Sequence, residues 1–225
     1  MLNKFNHIRQ RRDVLRKSID VDKAFEQWEE TCVPSYCHAN LAAAYVSWMR
    51  IFAAAELARQ CMPYGLGRVL DFGASVGELS HVLADAGSYE FIEQDDAAAG
   101  FLTGQKPDAV RQTLEGAPRD TYDAVFAIDS LEHNANYAEL ISEIAGLITP
   151  GGVLVLSGPT ENALYKLGRR IAGFEGDYHF TTIYDIEKAA ARHLEPVTRR
   201  TVPMGIPLFR ITVWRRPMQT AARAA

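Results

Sequence analysis

The apolar positions of the chain change rhythm near residue 63. Before it they recur at helical intervals: Tyr45, Trp48, Met49 and Phe52 fall at i, i+3, i+4 and i+7, one stripe of a helix. Two helical segments are predicted there, roughly Lys4 to Glu30 and Leu41 to Cys61. After the turn Pro63 to Gly67, short apolar runs alternate with helical patterns. The runs are RVLDF from Arg68, YEFIE from Tyr89, AVRQTL from Ala109, YDAVFAI from Tyr122 and GVLVLSG from Gly152. Between them lie helix-like stretches at Val76 to Ala86, Asp96 to Thr103 and Tyr137 to Ile148. This alternation predicts an α/β fold, a doubly wound and mostly parallel sheet with helices on both faces.

The end of the chain breaks the alternation. A helix over Ile183 to His193 opens on Thr182 with Asp185 three positions on, a capping pattern. Two strand-like runs follow, Val197 to Val202 and Leu208 to Trp214, with only Pro-Met-Gly-Ile-Pro between them. Strands joined without a helix predict an antiparallel hairpin at the sheet edge. The expected organisation is an N-terminal helical extension or lid over residues 1–62, a main domain over 63–217, and a disordered tail over 218–225.

Charge adds a second pattern. Met1 to Lys17 carries six Lys/Arg against one acid, Thr31 to Ala191 ten against 21, and Arg192 onward seven against one. An acidic centre argues against a nucleic-acid groove, which needs clustered cations. The basic ends allow, without requiring, contact with an anionic membrane surface. The run Leu41 to Ala58 is apolar, but Arg50 at its middle and Glu56 near its end do not belong inside a bilayer, so it reads as a buried helix. Three cysteines, Cys32, Cys37 and Cys61, with no signal peptide fit free thiols in a cytoplasmic protein. Neither they nor His38 form a convincing metal motif.

The candidate chemistry lies in VLDFGASVGE, Val69 to Glu78. Gly73-Ala-Ser-Val-Gly77 matches a serine-hydrolase nucleophile elbow as well as a glycine-rich cofactor turn. Either way Ser75 is placed to N-cap the next helix, with Glu78 completing a capping box. A hydrolase elbow normally follows several strands and a glycine-rich oxyanion loop, and only helices precede this turn. The cofactor reading accounts for more residues. Glu93 closes the second strand 22 positions after Asp71, where a carboxylate accepts hydrogen bonds from ribose hydroxyls. The glycine spacing is wrong for a pyrophosphate, and an acid at Asp71 suits a cation. A nucleoside bearing a positive charge and no phosphates is S-adenosylmethionine (SAM).

Four pieces together resemble class I SAM-dependent methyltransferases, over roughly Gly67 to Thr160: VLDFGASVG, FIEQD (Phe91 to Asp95), YDAVFAIDSLEHN (Tyr122 to Asn134) and ITPGGVLVLSGP (Ile148 to Pro159). Ser75 departs from the pattern by standing where the middle glycine usually stands. The resemblance implies a Rossmann-like fold and the transfer of a methyl group to an O, N or C atom of a small or amphiphilic metabolite. It implies that Gly73, Ala74, Ser75 and Gly77 form the turn against the methionine part of the cofactor, with Asp71 orienting it or meeting the ammonium. Glu93 then holds the ribose and Gln94 packs beside the adenine, with Leu114 or Glu115 a further adenine neighbour. Asp129 and Ser130 face the methionine or substrate side, unless Asp129 is only a helix cap. His133 is a candidate base, unless it merely bonds a nearby loop. Tyr178 and His179 are substrate-side candidates, His179 also catalytic, and Arg169 beside Arg170 a clamp for an anionic acceptor. No metal is expected. Two alternatives stay open: a SAM-binding partner subunit that no longer catalyses, and a hydrolase with Ser75 as nucleophile.

Overall fold

The computed structural model describes residues 2–19, 33–38, 41–163, 165, 180–203 and 206–218. Helices α1 (Leu2–Ser18), α2 (Val33–Tyr36) and α3 (Leu41–Cys61) precede the sheet. Then come β1 (Arg68–Phe72), α4 (Glu78–Val82), β2 (Ser88–Ile92), α5 (Asp96–Gln105), β3 (Val110–Arg111) and β4 (Tyr122–Ile128). A single 3-10 turn, Leu131–His133, leads into α6 (Tyr137–Leu147), β5 (Ile148–Pro159), α7 (Ile183–Ala190), β6 (Glu195–Val202) and β7 (Phe209–Arg215).

The sheet runs β3-β2-β1-β4-β5-β7-β6. The first five strands are parallel, and β7 is antiparallel to both β5 and β6. The predicted C-terminal hairpin is therefore present, with β7 inserted beside β5 and β6 left as the edge. That edge carries Pro196, Arg199 and Arg200, residues that discourage pairing with another strand.

Alternation along each strand divides the core in two. Val69, Phe91, Ala124, Phe126, Val153, Val155, Ile211 and Val213 face one side, with Trp48 and Ile51 of α3, Leu79 of α4 and Leu102 of α5. Leu70, Phe72, Val125, Ala127, Leu154 and Leu156 face the other, with Ile141 and Ile144 of α6 and Ile183 and Ile186 of α7. Trp48 is wholly buried and its indole N–H donates to the Tyr36 carbonyl at 3.3 Å.

Several elements are shorter than predicted, each for a local reason. The helix expected over Val76 to Ala86 is only Glu78–Val82. Arg59 of α3 donates to the Val82 carbonyl at 2.8 Å and pairs with Asp85, so the end of the helix is satisfied from outside. The third strand keeps only Val110–Arg111, because Thr113 turns the chain by accepting from Gly116 N–H at 3.1 Å. The first helix is described to Ser18, and residues 20–30 of its expected span lie outside the described residues. The Thr182 cap is formed, its hydroxyl accepting from Asp185 N–H at 3.4 Å, and the helix behind it ends at Ala190. No described helix is long and apolar enough to cross a membrane.

Candidate cofactor and active site

The chain steps outward from β1 to β2 and β3, then returns to place β4 on the other side of β1. Such a switch point leaves a crevice at the carboxyl ends of the strands. A cavity of about 320 Å³ lies there, bordered by Asp71 and Phe72 of β1, the turn Gly73 to Ser75, Ile92 to Gln94 after β2, and Ile128 to Ser130 after β4. Tyr36 of α2 and Ile51 of α3 close it from the N-terminal side.

The turn is held tightly by its surroundings. Gly73 and Ala74 both donate to the Ile92 carbonyl, at 2.9 and 3.2 Å. Gly73 has φ +74°, and a Cβ there would sit 2.5 Å from Ser130 Cβ, so only glycine lets β1 and β4 exits approach. Gly77 has φ +81°, and a side chain there would overlap Leu102 of α5. Ser75 takes φ +50° and gives its backbone N–H to Glu93 Oε2 at 2.7 Å.

The predicted capping box does not form. The N-cap position is Gly77 with no side-chain cap bond, and Ser75 Oγ is buried without a hydrogen-bond partner among the described residues. The left-handed bend turns the Ser75 hydroxyl away from the helix, and Glu78 is engaged elsewhere. The same fact speaks against the hydrolase reading: a serine nucleophile needs a base within hydrogen-bond reach, and among the described residues Ser75 Oγ has none.

Glu93 Oε1 also accepts from Asp95 N–H at 2.9 Å. A carboxylate offers about four lone pairs, so two remain for a ligand. Arg111 braces this loop by donating to the Glu93 carbonyl at 2.6 and 3.1 Å, and Asp95 caps α5 through Ala98 N–H at 2.7 Å. Asp71 is 3% exposed and accepts from the Tyr89 hydroxyl. Burial pushes its carboxyl up to about 7, the Tyr89 bond opposing and the Glu93 charge adding to the rise.

At the β4 exit Asp129 takes φ +50° and is no helix cap. It pairs with the buried Arg50 of α3 and accepts from Ser157 Oγ at 2.8 Å. Arg50 is 4% exposed and its guanidinium stacks 4.2 Å from the Phe209 ring centroid. Beside them Glu132 is buried, with its Oε2 unpartnered among the described residues. Burial first, and then the Asp129 charge, holds its carboxyl well above the usual range. His133 and Asn134 reach the cavity.

The structure thus gathers Asp71, Gly73, Ala74, Ser75, Glu93, Gln94, Asp129, Ser130 and His133 around one cavity. Gly77 supports the turn from behind, and Leu114 packs against the second core without lining the cavity. Tyr178, His179 and Arg169 lie outside the described residues. Sequence reasoning missed Tyr36, Ile51 and the Arg50–Asp129 pair. A lone arginine in the middle of an apolar helix was the available signal, because a buried guanidinium requires a partner.

Carboxylates face the cavity beside apolar Phe72, Leu79 and Ile92, which suits a cationic nucleoside with an aromatic base. Among the described residues no group of three His, Cys, Asp or Glu is arranged to hold a metal.

Fold, switch point and turn together define a class I SAM-dependent methyltransferase. A family described as a methyltransferase domain matches residues 45–201, and the chain belongs to it. Solved structures agree on the fold. The N-methyltransferase NodS from Bradyrhizobium japonicum WM9, in complex with S-adenosyl-L-homocysteine (SAH), superposes with a TM-score of 0.67 at 14% identity, covering 88% of this chain and 100% of that one. The magnesium protoporphyrin IX methyltransferase ChlM from Synechocystis PCC 6803, with bound SAH, gives 0.62 at 19% identity, over 80% and 89%. A putative sarcosine dimethylglycine methyltransferase from Galdieria sulphuraria gives 0.60 at 10%, over 78% and 88%. No curated protein matches in sequence.

Proposed function

We propose that this methyltransferase acts on an O, N or C atom of a small or amphiphilic metabolite, held over the β4 exit. The observation that carries the reading is the shared cavity: His133 and Asn134 border the same space as the glycine turn and Glu93. Related folds include enzymes named for a nitrogen acceptor and for a porphyrin, which supports small-molecule acceptors without choosing among atoms. The acidic centre of the chain favours such acceptors over nucleic acid.

Bound SAM supplies an electrophilic methyl group on a sulfonium. The chain's part is alignment and exclusion of water. Glu93 has two lone pairs left for the ribose hydroxyls, and Gln94 borders the adenine end. Asp71 offers a carboxylate to the cationic end. Tyr36 and Ile51 shield the cavity from solvent. His133, which borders the cavity at the β4 exit, is assigned the acceptor's proton.

The test is methyl transfer from labelled SAM to a fractionated pool of amines, phenols and carboxylic acids. Label is expected in a small-molecule fraction. His133→Ala should lower kcat by about 10²–10⁴-fold while SAH affinity is kept. Binding of SAH with no transfer to any fraction would favour the non-catalytic partner reading.

A further inference from the structure

The cofactor turn has three supports close by in sequence: the Ile92 carbonyl, the Glu93 carboxylate and the Leu102 side chain against Gly77. Its fourth support comes from the far end of the chain. Glu78 opens α4, borders the cavity, and has a side chain that is 0% exposed. Both of its oxygens accept from Arg11 of α1, Oε2 from Nε at 3.0 Å and Oε1 from Nη2 at 2.8 Å. Arg11 also donates to Gln105 at the end of α5, at 3.4 Å.

The rest of α1 is anchored around this contact. Ile8 and Leu15, which flank Arg11 on the same helix face, are buried in the core that contains Val76, Leu79 and Leu102. His7 packs edge-on against Trp48 and Phe52, and Lys4 pairs with Glu56. So α1 spans three elements that border the turn: α3, α4 and α5.

A buried carboxylate needs compensation. Burial raises the Glu78 carboxyl, and the Arg11 guanidinium pulls it back. A two-point guanidinium–carboxylate bond also fixes the plane of the carboxylate, which a single contact does not. Fixing that plane fixes the first turn of α4, and with it Gly77 and Ser75.

We propose that Arg11 is a positioning residue of the cofactor site, acting through Glu78 on the turn Ser75 to Glu78, so that docking of α1 and binding of SAM stabilise each other. The role differs from a cover over the acceptor: it places α1 on the cofactor side. Coupling of this kind is reciprocal. Removing Arg11 weakens the cofactor, and adding the cofactor protects α1.

The experiment measures SAH affinity by calorimetry on full-length wild type, Arg11→Lys, Arg11→Met, Glu78→Gln and the double variant Arg11→Met/Glu78→Gln. Arg11→Met is expected to weaken SAH about tenfold. Lysine, which cannot make the two-point bond, should fall between Met and wild type. The double variant, which also lacks the two-point bond, should bind SAH no better than Arg11→Met, and wild-type affinity in it would overturn the proposal. Hydrogen exchange supplies the reciprocal readout: SAH should slow the amides of residues 8–16 in wild type and not in Arg11→Met. If Arg11 only clips α1 to the surface, the melting temperature falls while SAH affinity and α1 exchange stay at wild-type values, and the proposal is overturned. Should Arg11→Met fail to fold, Arg11→Lys and Glu78→Gln carry the test, and wild-type affinity in both would overturn it.

Discussion

Asp71 shows how one buried group sets a pH dependence. Its carboxyl stands at about 7 in the fold against an ordinary 3.8, chiefly because burial penalises the charge. A raised carboxyl favours the folded state most below the ordinary value. That contribution is lost as pH rises from about 3.8 through about 7. Cofactor binding has the opposite sign, because a cation in the cavity favours ionised Asp71. SAM affinity should therefore rise with pH between 6 and 8, with a ceiling of about tenfold per unit. Asp71→Asn should flatten the profile. A slope unchanged in Asp71→Asn would assign the titration to another group. Tyr89→Phe should move the midpoint upward, since the Tyr89 bond is what holds the carboxyl down.

Among the elements, α3 carries one side of a buried ion pair. Its Arg50 and the Asp129 it faces are each about 5% exposed at the side chain. Removing one partner of a buried pair leaves the other charged and desolvated, at a cost of about 3–5 kcal/mol. Arg50→Met should thus shift the urea midpoint sharply, and Arg50→Met with Asp129→Asn should recover part of the loss. A single-variant cost below about 1 kcal/mol would mean that the pair contributes no more than an exposed one. The pair also marks where sequence reading ran out. The periodicity of Tyr45, Trp48, Met49 and Phe52 was enough to predict α3, and short apolar runs between helical patterns were enough for β1, β4 and β5. The turn and Glu93 were legible because spacing along the chain is itself their geometry. Pairing across 79 positions, from Arg50 to Asp129, is not written in any local pattern. Nor was the left-handed bend at Ser75, which undid a capping box whose residues were all in place. Leu114 lies beyond a β3 that stops after two residues, and it packs against the second core.

For the whole molecule, the cofactor cavity is where β1, β2 and β4 meet and where elements of the N-terminal segment close over them. A ligand seated there touches residues from Tyr36 of α2 to Asn134 after β4, so its binding energy enters the global unfolding equilibrium. SAH at a hundred times its dissociation constant should add about 2.7 kcal/mol. For a chain of this size that corresponds to a rise in melting temperature of roughly 5–10 °C. Glu93→Ala should abolish the shift, since it removes the carboxylate that both braces the Ser75 N–H and faces the cavity. Ser75→Ala should largely keep it, because the Ser75 contribution is its backbone N–H and its hydroxyl has no partner among the described residues. A shift lost in both variants would show that the Ser75 hydroxyl meets the cofactor. A shift kept in both would move the ribose contact away from Glu93.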